Sequence, residues 1–317
     1  MRLRVLDLDG ALDHQSAFLH AQQQGRGERI EARDLASRLR IVAGREAWAH
    51  LFARLKTKGP AAKGPLVTFY GSGDFHHVTT ALIEASVQAD AQDQQHTSPI
   101  TVVHFDNHPD WVRFPATHNC GAWVNRALEL PQVHRVVTLG VCSDDLVRPQ
   151  WKMAHLAAVE SGQICLFPYQ HAPSQVFGSF APSPSYQWQK GALHWACLEG
   201  LTETDCVARL QAQINTEAIY ITLDKDVLSP QDAVTNWDQG QMRLETVMTL
   251  IKALAGRFHV VGVDVCGDWS APVFTDPFRW VLSTLDRAPV KPDRDGLTRN
   301  AATNARLLSL FEDLFSQ

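Results

Sequence analysis

Two short acidic segments place ionisable side chains at alternate positions along the chain. "VVHFDNHPD" ends in Asp106, His108 and Asp110, and "ITLDKD" ends in Asp224 and Asp226. In an extended chain, residues i, i+2 and i+4 point to the same side, so the members of each set can converge. Carboxylates and imidazoles are ligands that proteins offer to divalent metal ions.

Two further apolar runs are also followed by ionisable groups. "PLVTFYG" precedes His76 and His77, and "HVVGV" precedes Asp264. In an open parallel sheet, ligands bind beyond the carboxyl ends of the strands. We therefore expect four strands to deliver His and Asp side chains to one rim of a sheet.

The charge of such a rim predicts bound cations. The two acidic segments contribute four aspartates, which repel one another in a half-buried cleft and cannot all ionise without compensation. Two divalent ions would balance these four charges, and His76 and His108 would complete the coordination. A site with many carboxylates and no thiolate suits a harder ion than structural zinc. The sequence thus predicts two Mn²⁺ per chain, with Ni²⁺ or Zn²⁺ as alternatives.

The elements that position these residues are short β-type runs alternating with helical segments. The predicted strands cover 2–8, 65–71, 100–106, 134–141, 163–168, 218–224 and 259–265. Apolar spacing predicts helices over 78–92, 202–214 and 243–257, the second with Thr202 or Thr204 as its N-cap. The stretches 172–190 and 267–280 are predicted to be loops. This alternation indicates an α/β protein with a parallel sheet covered on both faces, and we expect residues 1–317 to form a single domain.

Composition narrows the class of protein. The chain has 317 residues, of which 45% are hydrophobic and 20% charged, enough to bury a full core. A net charge of −5 argues against a nucleic-acid surface and favours a small-molecule substrate. We expect no membrane segment, no signal peptide and a cytoplasmic location, with the six cysteines as free thiols.

Three motifs in order resemble those of one enzyme family. "GSGDFHHVT", "FDNHPD" and "ITLDKDVLSP" resemble the GGDHS, DAHxD and SxDxDxxDP motifs of the ureohydrolases, which include arginase, agmatinase and formimidoylglutamase. The matches run from Gly71 to Pro230, with a weaker one near Asp264. The resemblance implies a three-layer α/β/α sandwich around a central, mainly parallel, roughly eight-stranded sheet, a binuclear manganese centre and a homo-oligomer.

The same resemblance implies a role for each motif residue. Matching "HHVT" to "HSVT" selects His76 as a ligand and makes Phe75 an insertion, with His77 as the competing choice. Ser229 stands where the family has an aspartate that is not a ligand. The implied ligands are His76 and Asp110 for the first metal, His108 and Asp226 for the second, and Asp106 and Asp224 as bridges.

Catalytic roles also follow from the resemblance. "ATHNCGAWVNRALE" is similar to a region in which a histidine passes a proton to the leaving amine, and His118 is the matching residue. Asp264 falls where the family has a glutamate that holds the guanidinium group. The implied reaction is attack of a metal-bridging hydroxide, hydrogen-bonded to Asp110, on a guanidino or amidino carbon. The products would include urea from a guanidine or formamide from a formimino compound.

Three alternative functions remain open from the sequence. "VLDLDGALD" resembles the nucleophile motif of haloacid-dehalogenase-like phosphatases, with Asp7 as phosphoryl acceptor and Asp9 as general acid. The deacetylase relatives of the ureohydrolases hydrolyse amides with a single zinc ion on the same fold. The metal centre could also belong to a non-catalytic regulator that has kept the ligands.

Overall fold

The computed structural model describes residues 1–56, 64–94, 99–113, 118–273, 281 and 294–315. Its centre is an eight-stranded sheet in which every neighbouring pair of strands is parallel. Most of its strands are long apolar runs because both faces of the sheet are buried. The strands of this sheet are β1 (Arg2–Asp7), β2 (Gly27–Glu31), β4 (Leu66–Tyr70), β5 (Ile100–Phe105), β7 (Val133–Leu139), β8 (Ile164–Phe167), β12 (Ala218–Asp224) and β13 (His259–Cys266).

The order of these strands across the sheet is β2-β1-β4-β13-β12-β5-β7-β8. The seven strands predicted from the sequence are confirmed. The eighth, β2, was not predicted, because only Ile30 of "GERIE" is buried and this edge strand has no apolar pattern. The order across the sheet departs from the order along the chain between β4 and β5, because β13 and β12 lie between these two strands.

Helices cover both faces of the sheet. The first face carries α2 (Ala36–Leu39), α3 (Arg45–Leu55), α4 (Thr79–Gln94), α5 (Trp123–Ala127) and α6 (Leu156–Glu160). The second carries α1 (Ser16–Gln23), α7 (Glu203–Gln211), α8 (Leu244–Ala255) and α9 (Arg294–Phe315). Each face has its own apolar core, so the predicted three-layer sandwich is confirmed. The Thr202 hydroxyl caps α7 by accepting a hydrogen bond from the Asp205 amide, as predicted.

Within the described part of the chain, five short strands lie outside the central sheet. They are β3 (Val42–Ala43), paired with β6 (His118–Asn119), and a small antiparallel sheet of β9 (Ser174–Gln175), β10 (Tyr186–Gln189) and β11 (Ala192–Trp195). The stretch predicted as a loop over 172–190 therefore contains strands. Of the other predicted loop, 267–273 has no helix or strand and 274–280 lies outside the described residues. Among the described residues, no helix is both long and apolar enough to cross a membrane.

Candidate metal centre

A cavity of about 440 Å³ lies at the carboxyl ends of β4, β5 and β12. Its walls include the apolar side chains of Ile41, Val112, Met153 and Trp237. All six residues predicted as metal ligands line it. They are His76, Asp106, His108, Asp110, Asp224 and Asp226.

Local backbone structure explains how these residues meet. His76 lies in a 3-10 turn over Gly73–Val78, directly after β4, and Asp224 ends β12. Another 3-10 turn, Lys225–Val227, places Asp226, whose amide donates to Asp224 Oδ1 at 3.0 Å. The Cβ of any residue replacing Gly73 would lie 2.3 Å from Asp224 Oδ2, so a residue without a side chain is required there.

The first group of ligand atoms surrounds His76 Nδ1. This nitrogen lies 2.9 Å from Asp106 Oδ2, 3.2 Å from Asp110 Oδ2 and 3.6 Å from Asp224 Oδ2. The opposite ring nitrogen, Nε2, lies 3.0 Å from the Thr222 hydroxyl, which in turn donates to Asp264 at 2.7 Å. This chain of hydrogen bonds favours a proton on Nε2 and leaves Nδ1 facing the carboxylates.

The second group surrounds His108 Nδ1, which lies 3.0 Å from Asp226 Oδ2 and 3.5 Å from Asp106 Oδ1. The two oxygens of Asp106 therefore face different imidazoles. Among the described residues, three sets of side chains could hold an ion: His76, His104, Asp106 and Asp110; His76, Asp224 and Cys266; and Asp106, His108 and Asp226. The first and third sets share the Asp106 carboxylate, so two ions could lie side by side.

Asp110 is held in an unusual conformation. Its φ angle is +46°, in the left-handed region that few residues with a side chain occupy, although aspartate tolerates it better than most. Trp123 Nε1 donates to Asp110 Oδ2 at 2.6 Å. Burial and the charge of Asp106 raise the pKa of Asp110 to about 7. Burial together with Asp106 and Asp224 also raises the pKa of Asp226 well above its usual value.

The donor set fits divalent cations. Burial and the charge of Asp106 raise the pKa values of Asp110, Asp224 and Asp226. The pKa of Asp106 itself is held well below its usual value, because the neighbouring imidazoles, His104 first, outweigh the effect of burial. Cations placed between the two groups would remove this repulsion, and the oxygen-rich ligands suit a hard or borderline metal. The buried cluster of His and Asp side chains is therefore a candidate binuclear metal site.

His104 joins the first group, although the sequence analysis assigned it no role. It is fully buried, its Nε2 lies 2.8 Å from Asp106 Oδ2, and its Nδ1 lies 3.1 Å from the Thr138 hydroxyl. The signal was present in the sequence. His104 precedes Asp106 by two residues on a strand, and the same alternation that groups Asp106 with His108 also places His104 on that side.

Asp264, which the resemblance predicts to hold the substrate, is not among the described residues that line the cavity. Its carboxylate is fully buried and accepts hydrogen bonds from Tyr220 at 2.6 Å, Thr222 at 2.7 Å and Thr79 at 3.2 Å. Burial raises the pKa of Asp264 to about 6. The physical reason is that Asp264 lies below the carboxyl end of its strand. β13 continues to Cys266, so Asp264 pairs with Thr222 and Cys266 pairs with Asp224 at the strand ends.

His118, the predicted proton donor, is not among the described residues that line the cavity, although the next two residues, Asn119 and Cys120, are. Its ring stacks on Trp48 with centroids 3.7 Å apart. The β3–β6 pairing sets this direction, since His118 is paired with Ala43. Burial, aided by the charge of Arg126, lowers the pKa of His118 to about 4. Among the described residues that line the cavity, neither His118 nor Asp264 appears.

The position of His76 favours it over His77 as the ligand. His76 enters the cluster, whereas the buried ring of His77 lies 5.9 Å from that of Trp48 and belongs to neither group of ligand atoms. The side chain of Lys225, between Asp224 and Asp226, points away from the cavity into the protein, and its Nζ lies 2.5 Å from Asp268 Oδ2.

The structure does not support the phosphatase hypothesis. Asp7 Oδ2 accepts hydrogen bonds from Arg29 and from Arg33. Asp9 Oδ2 accepts from the Ser72 amide at 3.0 Å and Oδ1 from the Ala11 amide at 3.1 Å. Neither aspartate lines the cavity among the described residues, so a phosphoryl acceptor there would be separated from the site.

Comparison with solved structures identifies the fold. Arginase from Entamoeba histolytica in complex with L-ornithine superposes with a TM-score of 0.60 and 11% identity, covering 98% of both chains. Arginase from Bacillus cereus gives a TM-score of 0.58 with 12% identity and 98% of both chains covered. Proclavaminate amidino hydrolase from Streptomyces clavuligerus gives 0.56 with 16% identity, covering 98% of this chain and 91% of that one. The chain has the ureohydrolase fold.

At the level of sequence, the chain has a distant relative. No protein-family model matches the chain. An uncharacterized protein from Thermotoga maritima is 24% identical over 202 residues, which make up 64% of this chain and 58% of that protein. The match therefore spans less than two thirds of the relative's length. The ureohydrolase fold and the buried cluster of His and Asp side chains are the two findings on which a function can be proposed.

Proposed function

We propose that this protein is a hydrolase that uses two divalent metal ions to break a C–N bond at a guanidino or amidino carbon of a small molecule. The observation that carries the proposal is the convergence of four aspartates and two histidines on one cavity, with Asp106 shared by two of the sets that could hold an ion. The fold is that of proteins described as arginases and as an amidino hydrolase.

The proposed ligand assignment follows the groups of atoms around His76 Nδ1 and His108 Nδ1, except that the sharing of Asp224 by both ions comes from the resemblance. His76 and Asp110 would hold the first ion, His108 and Asp226 the second, and Asp106 and Asp224 both. Bound there, the ions would lower the pKa of water and neutralise charge that develops on the substrate. Manganese is the first choice because oxygen ligands predominate.

The side chains around the ions would perform the remaining steps. Asp110 would take a proton from the attacking water and return it to the leaving amine. Addition of water to the carbon and cleavage of the C–N bond then release an amine with urea from a guanidine, or with formamide from a formimino compound. The apolar wall that includes Ile41, Val112 and Met153 would exclude bulk water and contact the hydrocarbon part of the substrate.

The first experiment measures the metal content of the protein. Apo-protein is reconstituted with Mn²⁺, dialysed and analysed by mass spectrometry for metal per chain, and then screened with guanidino and formimino compounds for release of urea, ammonia or formamide. We expect two ions per chain in the wild type. An Asp106→Ala, Asp224→Ala double variant should lose them, because each ion loses both shared carboxylates.

A matched control is a double variant of two exposed aspartates, Asp34→Ala and Asp205→Ala, which should keep both ions. A single zinc ion with amide hydrolysis would favour the deacetylase-like alternative. Two ions without turnover of any compound in the screen would favour the regulator. No bound transition metal would refute the proposal.

We also propose that the protein is a homo-oligomer, as the resemblance implies. Light scattering coupled to size-exclusion chromatography tests this directly. A mass of 35.3 kDa, that of one chain, would refute it.

A further inference from the structure

The two ring nitrogens of His108 face different carboxylates. Nδ1 points to Asp226 and Asp106 at the candidate metal centre, whereas Nε2 lies 2.8 Å from Asp238 Oδ1. Asp238 lies on the opposite side of the imidazole from the other two carboxylates. It belongs to none of the three sets of side chains that could hold an ion among the described residues.

Asp238 is held in this position by the residue next to His108. Asn107 Nδ2 donates to both the backbone carbonyl and the Oδ2 atom of Asp238, each at 3.0 Å. The Asn107 backbone amide donates to Asp226 Oδ1, also at 3.0 Å. Each oxygen of the Asp238 carboxylate thus has its own partner, and Oδ1 is directed at His108.

We propose that Asp238 is a positioning residue that keeps a proton on Nε2 of His108, so that the lone pair of Nδ1 faces the second metal position. This inference rests on the proposed binuclear centre. A histidine that binds a metal through one nitrogen usually donates the other N–H to a carboxylate or carbonyl, which fixes the tautomer and the ring orientation. Asp238 provides that acceptor for His108.

The two histidines of the centre would be oriented by different means. His76 donates from Nε2 to the buried hydroxyl of Thr222, whereas His108 depends on Asp238, whose side chain is 49% exposed. An exposed pair of this kind contributes little to folding. Replacing Asp238 should therefore disturb the second metal position without unfolding the protein.

The test is a titration of apo-protein with Mn²⁺ alone, followed by calorimetry and by the electron paramagnetic resonance signal of the coupled ion pair. We expect Asp238→Ala to weaken the second ion about 10- to 100-fold and to remove the coupled signal at stoichiometric metal. The first ion should bind as in the wild type. Asp238→Asn keeps an acceptor oxygen without the charge, so its affinity for the second ion should lie between those of the wild type and Asp238→Ala.

The matched control is Asp145→Asn, a carboxylate that lines the same cavity and pairs with Lys152 at 2.8 Å. It removes one negative charge from the cavity but no partner of His108. Both manganese affinities should stay at wild-type values in this variant. Thermal unfolding in chelator should be the same in all variants, which separates positioning from a purely structural role.

Three outcomes would overturn the inference while the proposed function stands: unchanged second-ion affinity in Asp238→Ala, equal weakening of both ions, or the same loss in Asp145→Asn. The last two would indicate a general effect of charge in the cavity. A wild type that binds no Mn²⁺ would instead refute the proposed function and this inference with it.

Discussion

Lys225 lies between two candidate ligands, Asp224 and Asp226, yet its side chain is fully buried on the other side of the chain. Its Nζ lies 2.5 Å from Asp268 Oδ2 and 2.9 Å from Asn304 Oδ1. These contacts join the turn after β12 to the segment after β13 and to α9. We predict that Lys225→Met, which keeps most of the side-chain volume, destabilises the protein by removing the cation from this pair.

The expected magnitude follows from burial. Removing one partner of a buried ion pair leaves the other charge uncompensated and costs about 3–5 kcal/mol. Asp268 would keep neutral donors, Gln15 Nε2 at 3.0 Å and Asn304 Nδ2 at 3.1 Å, so we expect the low end of this range, about 3 kcal/mol. Asp268→Asn should cost a similar amount because it leaves the ammonium group without a counter-ion.

The assay is urea denaturation in the presence of chelator for the two single variants and their combination. The double variant should be destabilised by less than the sum, with a coupling of up to about 3 kcal/mol, because neither charge is then left alone. Lys152→Met is the matched control. Its pair with Asp145 is partly exposed, so the loss should stay below about 1 kcal/mol. Additive single effects, or a Lys225→Met cost as small as that of the control, would refute the reasoning.

Three other perturbations test the site. A Cβ at Gly267 would lie 2.3 Å from Asp224 Oδ1, so Gly267→Ala should weaken manganese binding in a calorimetric titration. Gly200→Ala, with a similar positive φ and nothing within 4 Å, should not. His118→Phe should keep the stack on Trp48 and normal manganese binding. The folded protein must keep His118 neutral, so wild-type stability falls as pH drops from about 6.5 to about 4. Denaturation at neutral and acidic pH should show a smaller fall in unfolding free energy for His118→Phe than for the wild type. Metal in hundredfold excess over its dissociation constant should raise the unfolding free energy of wild type by about 2.7 kcal/mol, measured against chelator.

Much of the fold could be predicted because strands buried on both faces have long apolar runs. β5 and β12 show this pattern clearly, and the position of the site at their carboxyl ends follows from the parallel arrangement. β2 was not predicted because it is a polar edge strand. β3 and β6 are two residues long and show no periodicity, yet their pairing turns His118 towards Trp48.

Alternation along a strand predicts which side a residue faces, but it does not give the level of that residue relative to the neighbouring strands. Asp106 and Asp224 lie at the ends of β5 and β12, so both were placed correctly. Asp264 faces the same side but lies two residues below the end of β13, so it is enclosed by hydroxyl groups. Cys266 is the residue of β13 at the level of Asp224. Register depends on pairing, which a single sequence does not show.

The same register explains why a row of polar residues lies beneath the site, within an otherwise apolar core. Thr68, Asp264, Thr222, His104 and Thr138 are paired side by side across five neighbouring strands, one level below the candidate ligands. From this row, His104 contacts Asp106, and Thr222 accepts from His76. Buried polar groups of this kind are costly unless they have partners. Here partners lie within the row, in the level above it, below it at Tyr220 and on α4 at Thr79. The row therefore fixes the orientation of the first group of ligands. The second group, at the exposed side of the cavity, depends instead on Asp238, so the two metal positions should respond separately to substitution.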